Sequence, residues 1–224
     1  MNHRADSPAA FNYQLFAPDN FDPLSLSIQK RTPLRPGVFL DRDGVINRKA
    51  PAGHYIRSAD QFELLPAVTE SVRRLNHAGW PVIIITNQRG VATGSITALD
   101  QIHERMLSQF AEAGAIVSAV YVCPHDYSDG CECRKPRPGM LIKAAAEHHL
   151  DLASSWMIGD SNSDVQAGKA AGCVTLRICS QDLREDELRP DYQAANLPRA
   201  IDLILSQLPT SPEPFLKPAS IGLL

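Results

Sequence analysis

From residue 37 onward, short apolar runs alternate with amphipathic stretches. The runs over 37–41, 80–86, 116–122, 155–159 and 173–178 have the length of strands and end in turn-forming or polar residues. Between them the apolar period becomes helical. Val68, Val72 and Leu75 share one face over 66–78, with Gly79 as the stop. Leu99, Ile102, Met106 and Phe110 stripe 97–113, which a Thr97-x-x-Asp100 cap opens. Further helices are predicted over 139–149, 162–171 and, with Ile201 and Ile204 on one face, 198–207. Strands alternating with helices in this way predict an α/β fold, a mostly parallel sheet covered on both faces. Only short segments separate the first two strands, which leaves no room for a large cap domain.

Residues 1–36 show no sustained period and carry Pro23, Pro33 and Pro36, as expected of an N-terminal arm. The compact domain spans 37–208. A proline-rich tail over 209–224 follows, and there is no internal repeat. A chain of 224 residues is long enough for one α/β domain with a substantial core. Its formal charge of −3, with lysines and arginines scattered, gives no nucleic-acid footprint. No apolar run approaches the ~20 residues of a membrane span, and the polar first twenty residues lack the apolar core of a signal peptide. A cytoplasmic protein, a monomer without nucleic-acid or membrane partners, is expected.

Candidate chemistry collects at the ends of the predicted strands. Val38-Phe39-Leu40-Asp41-Arg42-Asp43-Gly44 closes the first strand with two carboxylates one residue apart, the spacing that turns both to one side of an extended chain. In open α/β sheets the crevice beyond the strand ends is where ligands bind. Two acids there suit a hard cation together with a nucleophile and a proton carrier. The second strand runs into Thr86-Asn87-Gln88, whose hydroxyl and backbone N–H groups can cradle an oxyanion. Arg134-Lys135-Pro136 follows the third strand and can grip anionic groups. Gly159-Asp160-Ser161-Asn162-Ser163-Asp164 follows the fourth. Asp160 can join Asp41 at a cation, while Asp164 either braces the site or caps the helix.

Three of the five cysteines lie within eleven residues. Cys123-Pro124-His125, then Cys131-Glu132-Cys133, make a Cys₃His set suited to a closed structural zinc site. Because Cys133 directly precedes Arg134 and Lys135, such a clip would stiffen the loop that carries the lysine. Cys173 and Cys179 read as core residues, and the helical His77, His103, His148 and His149 as surface or packing residues.

Asp-x-Asp-Gly, a strand-terminal Thr, a Lys and Gly-Asp-x-x-x-Asp, in this order over residues 37–180, resemble the haloacid dehalogenase-like phosphohydrolases. The resemblance implies a Rossmann-like three-layer α/β/α sandwich and an aspartyl-phosphate mechanism. In that mechanism Asp41 is the nucleophile and Asp43 the general acid and base. Magnesium is then held by Asp41, the Asp43 carbonyl and Asp160, with Lys135 and Thr86 on the phosphoryl oxygens.

Cys-Pro-His followed by Cys-x-Cys-Arg-Lys-Pro resembles two branches of that family. One removes the 7-phosphate of a heptose 1,7-bisphosphate, which serves nucleotide-activated heptose and lipopolysaccharide synthesis; the other acts on histidinol phosphate. Ile46-Asn47, the glycines Gly90 and Gly94, and Lys135-Pro136-Arg137-Pro138-Gly139-Met140 favour the heptose branch. The resemblance then places sugar phosphate against Thr86, Asn87, Gln88, Arg89, Arg134, Lys135 and Tyr55, and less directly against Ala52 to Tyr55. For a second phosphate Arg89, Arg134 and Arg137 are candidates. For a histidinol ammonium, Asp60 and Glu63 are. Departures from the pattern, Val45 for Thr, His54 for Gly and Ser161 for Lys, bear on sugar specificity more than on the chemistry. A non-catalytic, zinc-stabilised binding module is the reading from another class, and the intact set of Asp41, Asp43, Lys135 and Asp160 opposes it.

Overall fold

The computed structural model describes residues 13–15 (backbone only), 33–51, 54–89, 96–179 and 188–207. The strands β1 (Tyr13–Leu15), β2 (Val38–Leu40), β3 (Val82–Asn87), β4 (Ala119–Cys123), β5 (Trp156–Gly159), β6 (Val174–Ile178) and β7 (Tyr192–Ala194) form one sheet in the order β1-β4-β3-β2-β5-β6-β7. Every pairing is parallel. Among the described residues the α-helices are α1 (Val68–His77), α2 (Ile96–Glu112), α3 (Gly139–His148), α4 (Asn162–Ala171) and α5 (Leu197–Ser206).

The central strands are apolar at almost every position because both of their faces are buried. Their alternate residues divide between two cores. Val38, Leu40, Val82, Ile84, Val120, Val122 and Ile158 pack with Val72 and Leu75 of α1, Ile102 and Met106 of α2, and Ile201 and Ile204 of α5. Phe39, Ile83, Ile85, Tyr121 and Met157 turn the other way, onto Met140, Leu141 and Ala144 of α3 and Ala167 of α4. The three layers expected from the sequence are thus present. Truncating a buried core residue such as Ile84 to alanine costs ~2–5 kcal/mol at sites of this kind.

Helix boundaries follow local chemistry. Gly79, at φ +80, takes the left-handed turn past the end of α1. Asn196 caps α5, accepting from Arg199 N at 3.0 Å. The expected Thr97 cap is corrected: α2 already begins at Ile96, which leaves Thr97 inside its first turn. Two short strands add to the five expected ones. Tyr13–Leu15, within the expected arm, pairs with Val120–Val122, and Tyr192–Ala194 pairs with β6 at the other edge.

Between β2 and β3 the described residues hold α1 and one turn of 3₁₀ helix, with no cap domain among them. The chain leaves β2 toward β3 and β4 on one side and returns to β5 and β6 on the other. That reversal opens a crevice past the end of β2, the switch point at which α/β sheets bind ligands.

Candidate active site

The crevice is a cleft of about 350 Å³ lined by the ends of β2, β3 and β5 and by the loop between β4 and α3. Asp41, Arg42 and Asp43 form the turn after β2. Gly44 continues it at φ +95, where a Cβ would stand 2.2 Å from Asp160 Oδ2. Only glycine combines that dihedral with so close an approach. Thr86 and Asn87 end β3, Gln88 and Arg89 follow, and Asp160 follows β5. All seven expected polar positions at these strand ends, together with Arg134, Lys135 and Tyr55, line the same cleft.

Lys135 is buried, and its Nζ lies 2.7 Å from Asp41 Oδ1, 2.6 Å from Asp164 Oδ1 and 2.9 Å from the Ile85 carbonyl. Burial alone would lower its proton affinity, but the Asp164 and Asp41 charges outweigh it and hold the ammonium above its usual range. Burial, reinforced by the Asp164 charge, pushes the Asp41 carboxyl up to about 7 against the pull of Lys135. Asp164 both braces and caps. Its Oδ2 accepts from Ser161 N at 3.1 Å and Ser161 Oγ at 2.6 Å, closing the start of α4.

Carboxylate oxygens of Asp41, Asp160 and Asp164 lie within 4.8 Å of one another. Asp160 Oδ1 is buried with no partner among the described residues, while Oδ2 accepts from Lys49 Nζ at 2.7 Å. An orphaned carboxylate oxygen beside two further acids is the donor set a magnesium ion takes. The Asp43 side chain belongs to a different network, which leaves its backbone carbonyl as the group to offer a cation.

That network is dense. Asp43 accepts from Arg42 Nη2 at 3.0 and 3.1 Å, from Asn47 Nδ2 at 3.0 Å and from Gln88 Nε2 at 2.8 Å. Burial would raise the Asp43 carboxyl, yet Arg42, Asn47 and Gln88 together hold it below the usual carboxylate range. Gln88 Nε2 also reaches Thr86 Oγ1 at 2.8 Å. The Asn87 side chain is bound to the Lys135 backbone.

The Cys₃His set does converge. Cys123 Sγ lies 3.2 Å from Cys133 Sγ and 3.7 Å from Cys131 Sγ, Cys131 and Cys133 are 3.4 Å apart, and His125 Nδ1 is 3.2 Å from Cys133 Sγ. A tetrahedral zinc ion with Zn–S bonds of ~2.3 Å sets its sulfurs ~3.8 Å apart. The donor type fits, and the separations of 3.2, 3.4 and 3.7 Å lie at or somewhat inside that spacing. Arg134 Nη1 donates to the His125 carbonyl at 3.0 Å, which ties the loop to the cleft wall.

At the rim, Arg134 stacks 4.1 Å from the ring centroid of Tyr127, and Arg89 lies 5.8 Å from those of Tyr55 and Tyr127. Arg137 turns away, to the carbonyls of Gly130 and Cys131. Glu63 is bound to Arg48 at 2.9 and 3.1 Å, Asp60 lies 3.7 Å from Arg105, and neither lines the cleft. Ala52 and Gly90 to Gly94 fall outside the described residues.

Four participants were not expected as site residues from the sequence: Arg42, Lys49, Tyr127 and Asn47, the last read only as a mark of the heptose branch. For Arg42 and Asn47 a signal existed, since an arginine between two aspartates at a buried strand end needs acceptors. Lys49 is one exposed lysine in a loop, and its bond to Asp160 spans 111 residues.

Residues 132–200 match the HAD-hydrolase-like family. The chain is 41% identical over 143 residues to the D-glycero-beta-D-manno-heptose-1,7-bisphosphate 7-phosphatase of Pseudomonas aeruginosa, an alignment covering 63% of this chain and 79% of that relative. Identity is 37% over 194 residues to the D-glycero-D-manno-heptose-1,7-bisphosphate 7-phosphatase of Thermosynechococcus vestitus, covering 78% of this chain and 97% of the relative. Among solved structures, the D,D-heptose 1,7-bisphosphate phosphatase of B. bronchiseptica, complexed with magnesium and phosphate, superposes with a TM-score of 0.70. It is 33% identical in sequence, and the superposition covers 76% of this chain and 98% of that one. The chain therefore belongs to the HAD-like hydrolases, in the family of the heptose 1,7-bisphosphate 7-phosphatases.

Proposed function

We propose that this chain is a magnesium-dependent phosphomonoesterase that removes the 7-phosphate of D-glycero-D-manno-heptose 1,7-bisphosphate. The observation that carries the reading is the pairing at the end of β2. Asp41 is held by Lys135 at 2.7 Å, and Asp43 is held separately by Arg42, Asn47 and Gln88. Two carboxylates one residue apart thus have separate partners, so each can take a different part in one reaction. Magnesium beside Asp41 would favour its ionised, attacking form despite its burial.

In the first step an Asp41 carboxylate oxygen attacks phosphorus, and the P–O bond to C7 breaks. Asp43 gives its proton to the departing alkoxide. In the second, Asp43 takes a proton from water as that water attacks the aspartyl-phosphate, which frees inorganic phosphate and restores Asp41. The negative charge of a bound phosphoryl group raises the proton affinity of Asp43, countering Arg42. Lys135 and the Thr86 hydroxyl stabilise the phosphoryl oxygens. Asp41, Asp160 and the Asp43 carbonyl would hold magnesium, with Asp164 beside them, and the ion would neutralise charge on the transferring group. Binding of magnesium and phosphate by the B. bronchiseptica relative supports that assignment.

Cys123, His125, Cys131 and Cys133 are proposed to hold a structural zinc ion that stiffens the loop bearing Arg134 and Lys135. Arg89 and Arg134 at the rim suit the second phosphate of a bisphosphate. Asp60 and Glu63, the acids that would suit a histidinol ammonium, do not line the cleft. The product would enter nucleotide-activated heptose synthesis for lipopolysaccharide, in the cytoplasm.

Phosphate release from the heptose bisphosphate and from histidinol phosphate, side by side with saturating magnesium, tests the reading. It expects a kcat/KM ratio of ~100 or more for the heptose, about 2.7 kcal/mol of transition-state binding. A ratio reversed toward histidinol phosphate contradicts the substrate and leaves the chemistry intact.

A further inference from the structure

We infer that His103, a buried histidine on α2, is a positioning residue for the proton carrier Asp43, acting through the Arg42 guanidinium. The inference rests on the phosphatase reading above and extends it to a helix that supplies no group to the cleft. His103 does not line the cleft and its side chain is almost wholly shielded from solvent.

The geometry is a chain of three side chains. His103 Nε2 lies 3.1 Å from Arg42 Nη1, and Arg42 Nη2 in turn grips both Asp43 oxygens, at 3.1 and 3.0 Å. A guanidinium has only donors, so His103 Nε2 must accept. That fixes the ring as neutral, with its proton on Nδ1. The surroundings agree: burial, with the adjacent Arg42 charge, strongly disfavours the imidazolium. Arg42 Nε is buried with no partner among the described residues. The guanidinium is therefore anchored at Nη1 by His103 and at Nη2 by the carboxylate it serves. Without the first anchor, a planar fork can rotate about its own stem, and the two-oxygen grip on Asp43 is lost. Asn47 and Gln88 then hold Asp43 by one contact each, which fixes its place less tightly than three donors do.

A misplaced proton carrier has a specific kinetic mark. Departure of a sugar alkoxide needs a proton; departure of p-nitrophenolate, a weak base, hardly does. Because kcat/KM reports the steps through formation of the aspartyl-phosphate, it isolates this acid role from the later base role. A merely structural role for His103 would weaken both substrates alike.

The test compares His103→Leu, His103→Asn and His103→Gln in the full chain with magnesium. The substrates are p-nitrophenyl phosphate and the alkyl phosphomonoester that the wild type turns over fastest. Gln places an amide oxygen near the position of Nε2, whereas Asn is too short to reach Arg42. If the Leu variant does not fold, the Asn–Gln pair makes the same comparison between two polar side chains. We expect kcat/KM on the alkyl ester to fall about 30-fold or more in Leu and Asn, within the range of general-acid effects. On the aryl ester the change should stay within about 3-fold, and Gln should restore most of the alkyl activity. Equal losses on both esters, no loss on either, or a Gln variant as poor as Asn would overturn the inference. A wild type that hydrolyses neither ester overturns the phosphatase reading as well. A wild type active on both, with variants of unchanged selectivity, overturns the role of His103 alone.

Discussion

Asn87 and Lys135 bind each other reciprocally: Asn87 Nδ2 donates to the Lys135 carbonyl at 3.0 Å, and Lys135 N donates to Asn87 Oδ1 at 3.1 Å. The pair joins the end of β3 to the loop between β4 and α3 across 48 residues. It fixes the backbone from which the buried lysine reaches Asp41. Asn87→Ala removes both bonds. The variant should lose about 1–3 kcal/mol of stability, since two half-buried backbone groups lose their partners. Its kcat/KM should fall about 10-fold or more through misplacement of Lys135. Urea unfolding and steady-state kinetics check the two effects separately.

Gly44→Ala should damage cation binding more than substrate binding. An added Cβ meets the φ of +95 and stands 2.2 Å from Asp160 Oδ2, so either the turn or Asp160 must move. The magnesium concentration for half-maximal activity should rise about 10-fold or more. KM for substrate at saturating magnesium should change less. A magnesium titration of activity reads this directly.

Metal analysis of the purified chain should find close to one zinc per molecule, and Cys131→Ser should lower that content markedly. The core formed with α1, α2 and α5 contains none of the clip residues, although Cys123 and Cys133 belong to the other core, so the far-ultraviolet circular dichroism should largely persist in the Cys131→Ser variant. Activity should fall about 10- to 100-fold, because the loop carrying Arg134 and Lys135 loses a constraint. Full activity in a zinc-free protein would contradict the positioning role.

His103 should also make stability depend on pH. Burial, with the neighbouring Arg42 charge, pushes it down to about 3 from an ordinary 6.5. Between those values the unfolded chain takes up a proton that the folded chain refuses, so stability rises with pH across the window. The wild type should therefore lose stability on acidification below about pH 6.5, by as much as ~1.4 kcal/mol per pH unit from this group. His103→Gln removes that slope. Urea midpoints of the two proteins from pH 8 to pH 5 should show the wild type declining relative to the variant. A pH-independent difference would contradict a neutral buried His103.

Much of this architecture was legible in the sequence for identifiable reasons. Strands buried on both faces are continuous apolar runs, so Val38–Leu40 and Val82–Asn87 could be placed within a residue or two. The acids at their ends could be read because chemistry at a strand end needs particular residue types. β1 and β7 were not legible, since three residues paired at a sheet edge need no apolar period. Nor was the Arg42–His103 contact, which joins positions 61 residues apart. On the stripe of α2, one histidine among Leu99, Ile102, Met106 and Phe110 reads as packing. Its partner becomes visible only once the helix lies against the end of β2. Asp164 had two sequence readings, cap and brace, and one carboxylate performs both by giving each oxygen a different partner.

The central claim is that Asp41 becomes phosphorylated during turnover. Asp43→Asn, supplied with p-nitrophenyl phosphate and magnesium, forms the aspartyl-phosphate without needing a general acid and lacks the base that hydrolyses it. Acid quenching, borohydride reduction of the acyl phosphate to an alcohol and peptide mass spectrometry then locate the modified residue. The expected result is reduction at position 41, in an amount that matches the burst of p-nitrophenol. A burst with the modification at Asp160 or Asp164, or with Asp41 unmodified, would contradict the mechanism.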